Sequence, residues 1–230
     1  MLSKYKAVFF DVGGTLLRVE PSVGHVYANY ARPFGFQGSA KELNQLFQKE
    51  WANLGGIESL GKKSGEQEEK KFWKRLVFQV FEHSGGLENF EHYFEIIYEA
   101  FARKDHWHVF DDVIDSGILE KLKKSSVTLG VVSNWDSRLH AILKGTGLAE
   151  HFDFILASAE VGSAKPDKKI FIEAIRRSGV NPTEVCHIGD DLHADIQGAN
   201  SVGIEAILID RNNKHKKNSL TTVSSFQELL

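Results

Sequence analysis

Phe9-Phe10-Asp11-Val12-Gly13-Gly14-Thr15-Leu16 is the stretch on which the reading of this chain turns. The run from Lys6 to Phe10 is apolar-biased and ends directly in a carboxylate and two glycines, the composition of a strand that opens into a tight, exposed turn. In an open α/β sheet such a turn sets Asp11 at the carboxyl end of a strand, where ligands bind. Taken alone, the stretch also fits an Asp-Gly turn with no chemistry. Three later segments bear on the choice.

Val127-Thr128-Leu129-Gly130-Val131-Val132 is a second expected strand, and it opens into Ser133-Asn134. A hydroxyl and an amide there supply neutral, directed donors for a phosphoryl or carboxylate oxygen, although a helix cap has the same composition. Ala164-Lys165-Pro166-Asp167 precedes a helical pattern from Lys169 to Arg177. Lys165 can neutralise a buried carboxylate and a bound anion, or it is a solvated loop lysine; Pro166 suits the start of a helix. Val185-Cys186-His187-Ile188-Gly189-Asp190-Asp191 is a third strand, ending in paired acids, with Asp195 four residues beyond Asp191. Carboxylate oxygens at a strand end suit Mg²⁺, and acids at a helix N-terminus are favourable with no metal at all. Asp190, directly after Gly189, is expected to be the better ligand of the pair, with Asp195 supporting the loop.

These four motifs, in this order, resemble the haloacid dehalogenase-like hydrolase superfamily over almost the whole chain. Val132-Ser133-Asn134-Trp135-Asp136 and His151-Phe152-Asp153-Phe154 are similar to one subgroup of it in particular. The resemblance implies a doubly wound, Rossmann-like parallel sheet carrying an inserted helical cap. It also implies a phosphatase-type reaction: Asp11 attacks an electrophile, Ser133 and Asn134 orient its oxygens, Lys165 stabilises negative charge, and Asp190 with Asp191 holds magnesium. In phosphatases of the superfamily the residue two beyond the nucleophile is an aspartate that protonates the leaving group and activates water; here it is Gly13. Gly13 still offers its backbone carbonyl to the metal alongside Asp11. Loss of general acid help, typically worth about 10²-fold to 10⁴-fold, falls hardest on substrates with a basic leaving group.

Gly13 also keeps two other functions in view. Haloacid dehalogenases of the superfamily lack the second acid, and Arg32 is the residue comparable to their carboxylate-binding arginine. A module that binds a phosphometabolite or a protein partner without turnover is the third reading. Glu20 and His25, just after the first motif, are the nearest sequence candidates for a replacement acid.

The insertion is expected over residues 17–108, between core segments 1–16 and 109–230. It carries helical patterns at Lys41 to Leu54, Glu66 to His83 and Phe90 to Ala102, punctuated by Gly55-Gly56, Gly61, Gly65 and Gly85-Gly86. Linkers near 16–21 and 105–110 are expected hinges. Further strands are expected at Phe154 to Leu156 and Glu205 to Ile209, with a short closing helix over Ser224 to Leu229.

With 230 residues, 42% hydrophobic content and a formal charge of −3, the chain has material for a compact core plus a smaller module, and no basic domain directed at nucleic acid. The expected partner is a small anionic, phosphorylated substrate. The single cysteine, Cys186, lies in an expected core strand and excludes an internal disulfide. His106, His108, His187 and His193 have no zinc spacing. No run approaches membrane length, so a cytoplasmic location and no membrane partner are expected. Lys214-His215-Lys216-Lys217 reads as a solvated turn.

Overall fold

The computed structural model describes residues 2–215 and 221–230. Its strands are β1 (Ala7–Phe10), β2 (Leu17–Val19), β3 (Trp107–Val109), β4 (Thr128–Ser133), β5 (Phe154–Ala157), β6 (Val185–Gly189), β7 (Glu205–Ile209) and β8 (Thr222–Val223). Six of them form a parallel sheet in the order β5-β4-β1-β6-β7-β8. Parallel strands covered on both faces read as continuous apolar runs, which is why β1, β4, β6 and β7 are visible in sequence.

Alternation along β1 feeds two separate cores. Val8 and Phe10 pack with Leu129, Val131, Ile188 and Ile207 under α5 (Asp111–Ser116), α6 (Ile118–Lys124) and α7 (Arg138–Gly145). Ala7 and Phe9 point the other way, with Leu156, Val185 and Leu208, towards Ile170 and Phe171 of α9 (Lys168–Ser178). The short α8 (Ser158–Val161) follows β5, and a π-helical turn, Leu192–Gln197, leads into α10 (Gly198–Asn200). Cys186 is fully buried in β6.

Four helices, α1 (Val23–Ala31), α2 (Ala40–Leu54), α3 (Glu66–Glu82) and α4 (Phe90–Ala100), lie between β2 and β3 and form the cap. They close on their own aromatic-rich core, including Tyr27, Phe36, Phe81, Tyr93 and Phe94. Ser22 and Ser39 cap α1 and α2 by accepting from the backbone N–H groups of His25 and Glu42.

The segments expected as hinges pair with each other: β2 and β3 run antiparallel with Leu17 opposite Val109 and Val19 opposite Trp107. The closing helix is one 3₁₀ turn, Phe226–Leu229. Of the basic run, the backbone N–H groups of Lys214 and His215 donate to Asp210, while Lys216 and Lys217 lie outside the described residues.

Candidate active site

Asp11 follows β1 directly, and its N–H donates to Ile188 O at 2.9 Å, so the neighbouring strand fixes where its side chain begins. The next turn is closed by Leu16 N to Val12 O and Gly14 N to Leu17 O, both 2.8 Å. Gly14 sits at φ +82°, and a Cβ there would lie 2.2 Å from Asp190 Oδ2, so only glycine allows the two loops to approach. Arg211, which no sequence signal singled out, donates to Gly14 O and Thr15 O at 2.8 Å each and pairs with Asp112.

Behind Asp11 lies a buried ion network. Asp11 Oδ1 accepts from Ser133 Oγ at 2.9 Å and from Lys165 Nζ at 2.7 Å. Lys165, 2% exposed, also donates to Asp195 Oδ1 at 2.6 Å, and His187 Nε2 lies 2.9 Å from the same oxygen. Asp195 Oδ2 accepts from the Asp191 N–H at 3.1 Å, so neither oxygen of Asp195 is without a partner. Burial opposes the charge on Asp195, but Lys165 and His187 overcome it and hold the carboxyl well below the usual range. Lys165 stays charged for the converse reason: burial opposes it, and Asp11 with Asp195 more than compensates. Burial pushes Asp11 upward against the pull of Lys165.

Asp190 and Asp191 have different positions. Asp190 remains open to the cavity and accepts from Thr15 Oγ1 at 3.3 Å. The protein crowding it, followed by the charges of Asp11 and Asp195, pushes its carboxyl well above the ordinary value. Asp191 Oδ1 caps the π-helical turn, accepting from the N–H groups of His193 and Ala194 at 2.7 Å each. The third acid to converge with Asp11 and Asp190 is Asp195, and one carboxylate oxygen from each lies within 4.8 Å of the others. Such a cluster can coordinate a divalent cation. Three carboxyl groups face one ammonium, so the acids outnumber the lysine at this end of the cavity.

Asn134, expected to orient substrate oxygens, lines the cavity and also holds the neighbouring loop. Its amide clamps the Lys165 backbone, accepting from Lys165 N at 2.6 Å and donating to Lys165 O at 3.0 Å. Ser133 acts on the Asp11 carboxylate; Asn134 fixes the loop that delivers Lys165.

A cavity of about 960 Å³ runs from Asp11, Gly13, Lys165 and Asp190 into the cap, where Phe47, Trp51, Trp73, Phe94, Tyr98 and Phe101 line it. Polar contacts join cap to core around it. Tyr98 Oη donates to the buried Asp136 at 2.9 Å, and Arg138 donates to Asp136 while stacking 3.6 Å over the Tyr98 ring. Glu69 of α3, fully buried, accepts from Ser64 Oγ at 2.5 Å and Ser158 Oγ at 2.6 Å. Burial pushes its carboxyl up to about 7.

The early candidates for a replacement acid lie elsewhere. Glu20 pairs with Arg18 at 2.9 Å and His25 Nδ1 lies 2.9 Å from Ser22 Oγ; neither lines the cavity. Arg32 donates to Phe36 O and Gly38 O, and it too is outside the lining. His187 is buried against the edge of Phe171, and His193 Nδ1 lies 2.9 Å from Gln197 Oε1.

A parallel sheet with an aspartate at the end of its central strand, an acid cluster beside it and a helical cap above defines a capped α/β hydrolase. The chain belongs to the haloacid dehalogenase-like hydrolases, whose pattern matches residues 5–203. It is similar to human haloacid dehalogenase-like hydrolase domain-containing protein 3, at 34% identity over 87% of this chain and 80% of that protein. Among solved structures it resembles a haloacid dehalogenase-superfamily phosphatase from Thermococcus onnurineus, at 29% identity and TM-score 0.68 over 97% of this chain and 95% of that one. It also resembles a 2-haloacid dehalogenase from Pseudomonas syringae pv. Tomato, at 25% identity and TM-score 0.63 over 98% and 96% of the two chains.

Proposed function

We propose that the protein is a magnesium-dependent phosphatase of a small phosphorylated metabolite, working through a phospho-Asp11 intermediate. The observation that carries this reading is the convergence of Asp11, Asp190 and Asp195 beside a buried lysine. Acids in excess of the one ammonium at the floor of a cavity suit a cation, which would hold them ionised, and a carbon-halogen substrate has no use for one. Asp11, the Gly13 carbonyl and Asp190 would hold magnesium, with Asp191 the alternative acid; when bound, it neutralises the carboxylates and the phosphoryl oxygens.

The chain's own residues supply the rest. Ser133 and Lys165 hold Asp11 Oδ1, which leaves Oδ2 as the attacking oxygen. Lys165 is charged at working pH and opposes the negative charge that builds on the phosphoryl group. Asn134 keeps Lys165 in place through its backbone. We assign residues 17–108 to the cap and 1–16 with 109–230 to the core, so that the cap closes over the leaving group and excludes water. The reading includes cytoplasmic residence; none of the described helices is long and apolar enough to cross a membrane.

Gly13 supports 2-haloacid dehalogenation as the second reading. Arg32 does not help it, because that guanidinium is occupied by two backbone carbonyls away from the cavity. A phosphometabolite panel, run with magnesium and with EDTA against an Asp11→Asn background, tests the first reading. Metal-dependent phosphate release that the substitution abolishes is expected. Halide release without magnesium, lost in the same variant, would favour the second reading, and ligand binding without turnover would favour a non-catalytic module.

A further inference from the structure

We infer that Glu58, carried by the cap, is the general acid and base of this hydrolysis and stands in for the side chain that Gly13 lacks. The inference rests on the phosphatase reading above. Five acidic residues line the cavity: Asp11, Glu58, Asp190, Asp191 and Asp195. Four have other work. Asp11 is the nucleophile and Asp190 belongs with the cation. Asp191 caps the π-helical turn. Asp195 is held by Lys165, His187 and a backbone N–H. No histidine is among the lining residues described.

Glu58 is unoccupied by comparison. It lies in the turn Ile57–Lys63 between α2 and α3, half-buried, and makes no ion pair among the described residues. Its carboxylate accepts a hydrogen bond from its own backbone amide, and the side chains that act on it electrostatically are those of Asp191, Lys165 and His193. All three belong to the core side of the site, so the carboxyl is within electrostatic reach of the chemistry. Burial first, with Asp191 adding to it, moves the carboxyl above its ordinary value, which favours the protonated form that a general acid needs.

The turn is tied to the catalytic loop. Ala164 N, immediately before Lys165, donates to Gly61 O at 2.9 Å. Ile57, beside Glu58, shares a buried cluster with Ala164, Phe72 and Leu76. Glu58 and Lys165 are therefore positioned through one joint between cap and core, and the acid arrives when the cap is seated.

The proton balance is simple. Asp11 Oδ2 bonds to phosphorus, the bond to the leaving oxygen breaks, and that oxygen takes the proton from Glu58. The Glu58 carboxylate then removes a proton from water, whose oxygen bonds to phosphorus as the Asp11–phosphorus bond breaks. Alcohol and inorganic phosphate leave, Asp11 is again a carboxylate, and Glu58 is again protonated.

The test is a series of alkyl and aryl phosphate monoesters turned over by the wild type and Glu58→Gln in saturating magnesium. The substitution is expected to lower kcat/KM for alkyl phosphates by about 10²-fold to 10⁴-fold and for p-nitrophenyl phosphate by less than about tenfold. Slowed breakdown of phospho-Asp11 should appear as a burst of nitrophenol. Adding Gly13→Asp to Glu58→Gln should restore the shallow leaving-group dependence, since a Cβ at position 13 meets only Trp135 Cζ3, at 3.4 Å. The rescue also separates lost chemistry from lost folding. A wild-type dependence with no burst in Glu58→Gln overturns the role of Glu58 and leaves the phosphatase reading intact. Absence of any magnesium- and Asp11-dependent turnover in the wild type overturns both.

Discussion

Lys165 is buried to 2% exposure between two carboxylates, and at that depth neither the ammonium nor the acids are tolerable alone. Replacing Lys165 with Met removes one cation and leaves Asp11 and Asp195 facing each other in low dielectric. A loss of roughly 3–5 kcal/mol is expected from breaking a buried pair on one side. Urea unfolding at neutral pH checks it. Acidification should recover part of the loss, because protonating either acid removes the unpaired charge. Turnover should fall as well, since the same ammonium opposes the charge on the transferring group. A Lys165→Met protein with wild-type stability would show that water or local rearrangement replaces the ion pair. At this scale the sequence was informative about identity and less so about partners. Asp11, Ser133, Lys165 and Asp190 follow from strand ends and loop chemistry. That Asn134 serves the Lys165 backbone, and that Asp195 rather than Asp191 completes the acid cluster, depends on how the π-helical turn winds after β6.

Among elements, the joint between α3 and the core is the place where pH acts. Glu69 is buried with one oxygen shared by two serine hydroxyls and the other without a partner, and its carboxyl is raised from 4.5 to about 7. A folded value above the unfolded one means that the folded state binds the extra proton. The resulting stability is complete below about 4.5 and is lost as pH rises through about 7. Glu69→Gln, which keeps the shape and cannot ionise, should therefore gain relative to the wild type between pH 5 and pH 8, by up to roughly 3 kcal/mol. Paired thermal melts across that range check the sign; a difference that does not change with pH would show that Glu69 is ionised in the fold. Elements were legible where burial on both faces made long apolar runs, as in β4, β6 and β7. The ribbon of β2 and β3 escaped because three-residue strands carry no alternation, and Leu17–Val19 looks like any linker. Glu58 escaped for a related reason: a lone acid in a glycine-bounded turn has no local pattern, and only the Ala164 to Gly61 contact brings that turn to Lys165.

For the whole molecule, the crowded acids of the site work against folding, and a bound cation would relieve them. Asp11, Asp190 and Asp195 converge against a single lysine, and Asp190 is the acid most open to solvent. A cation that binds only the folded chain adds stability by mass action, about 2.7 kcal/mol at a hundredfold excess over Kd. For a chain of this size that corresponds to a rise in Tm of roughly 5–10 °C, reversible with EDTA. Asp190→Asn removes one like charge and one ligand together. The metal-free variant should melt at or above the wild-type temperature, because crowding by Asp11 and Asp195 is relieved, and its melting temperature should no longer respond to magnesium. Asp191→Ala loses a cap and should melt lower, by the equivalent of about 1 kcal/mol, while keeping its magnesium response. The two variants separate a ligand from a cap by opposite signs in one measurement. If magnesium shifts Asp190→Asn as it shifts the wild type, the cation is held elsewhere; if it shifts only Asp190→Asn and not Asp191→Ala, the roles of the two neighbours are reversed.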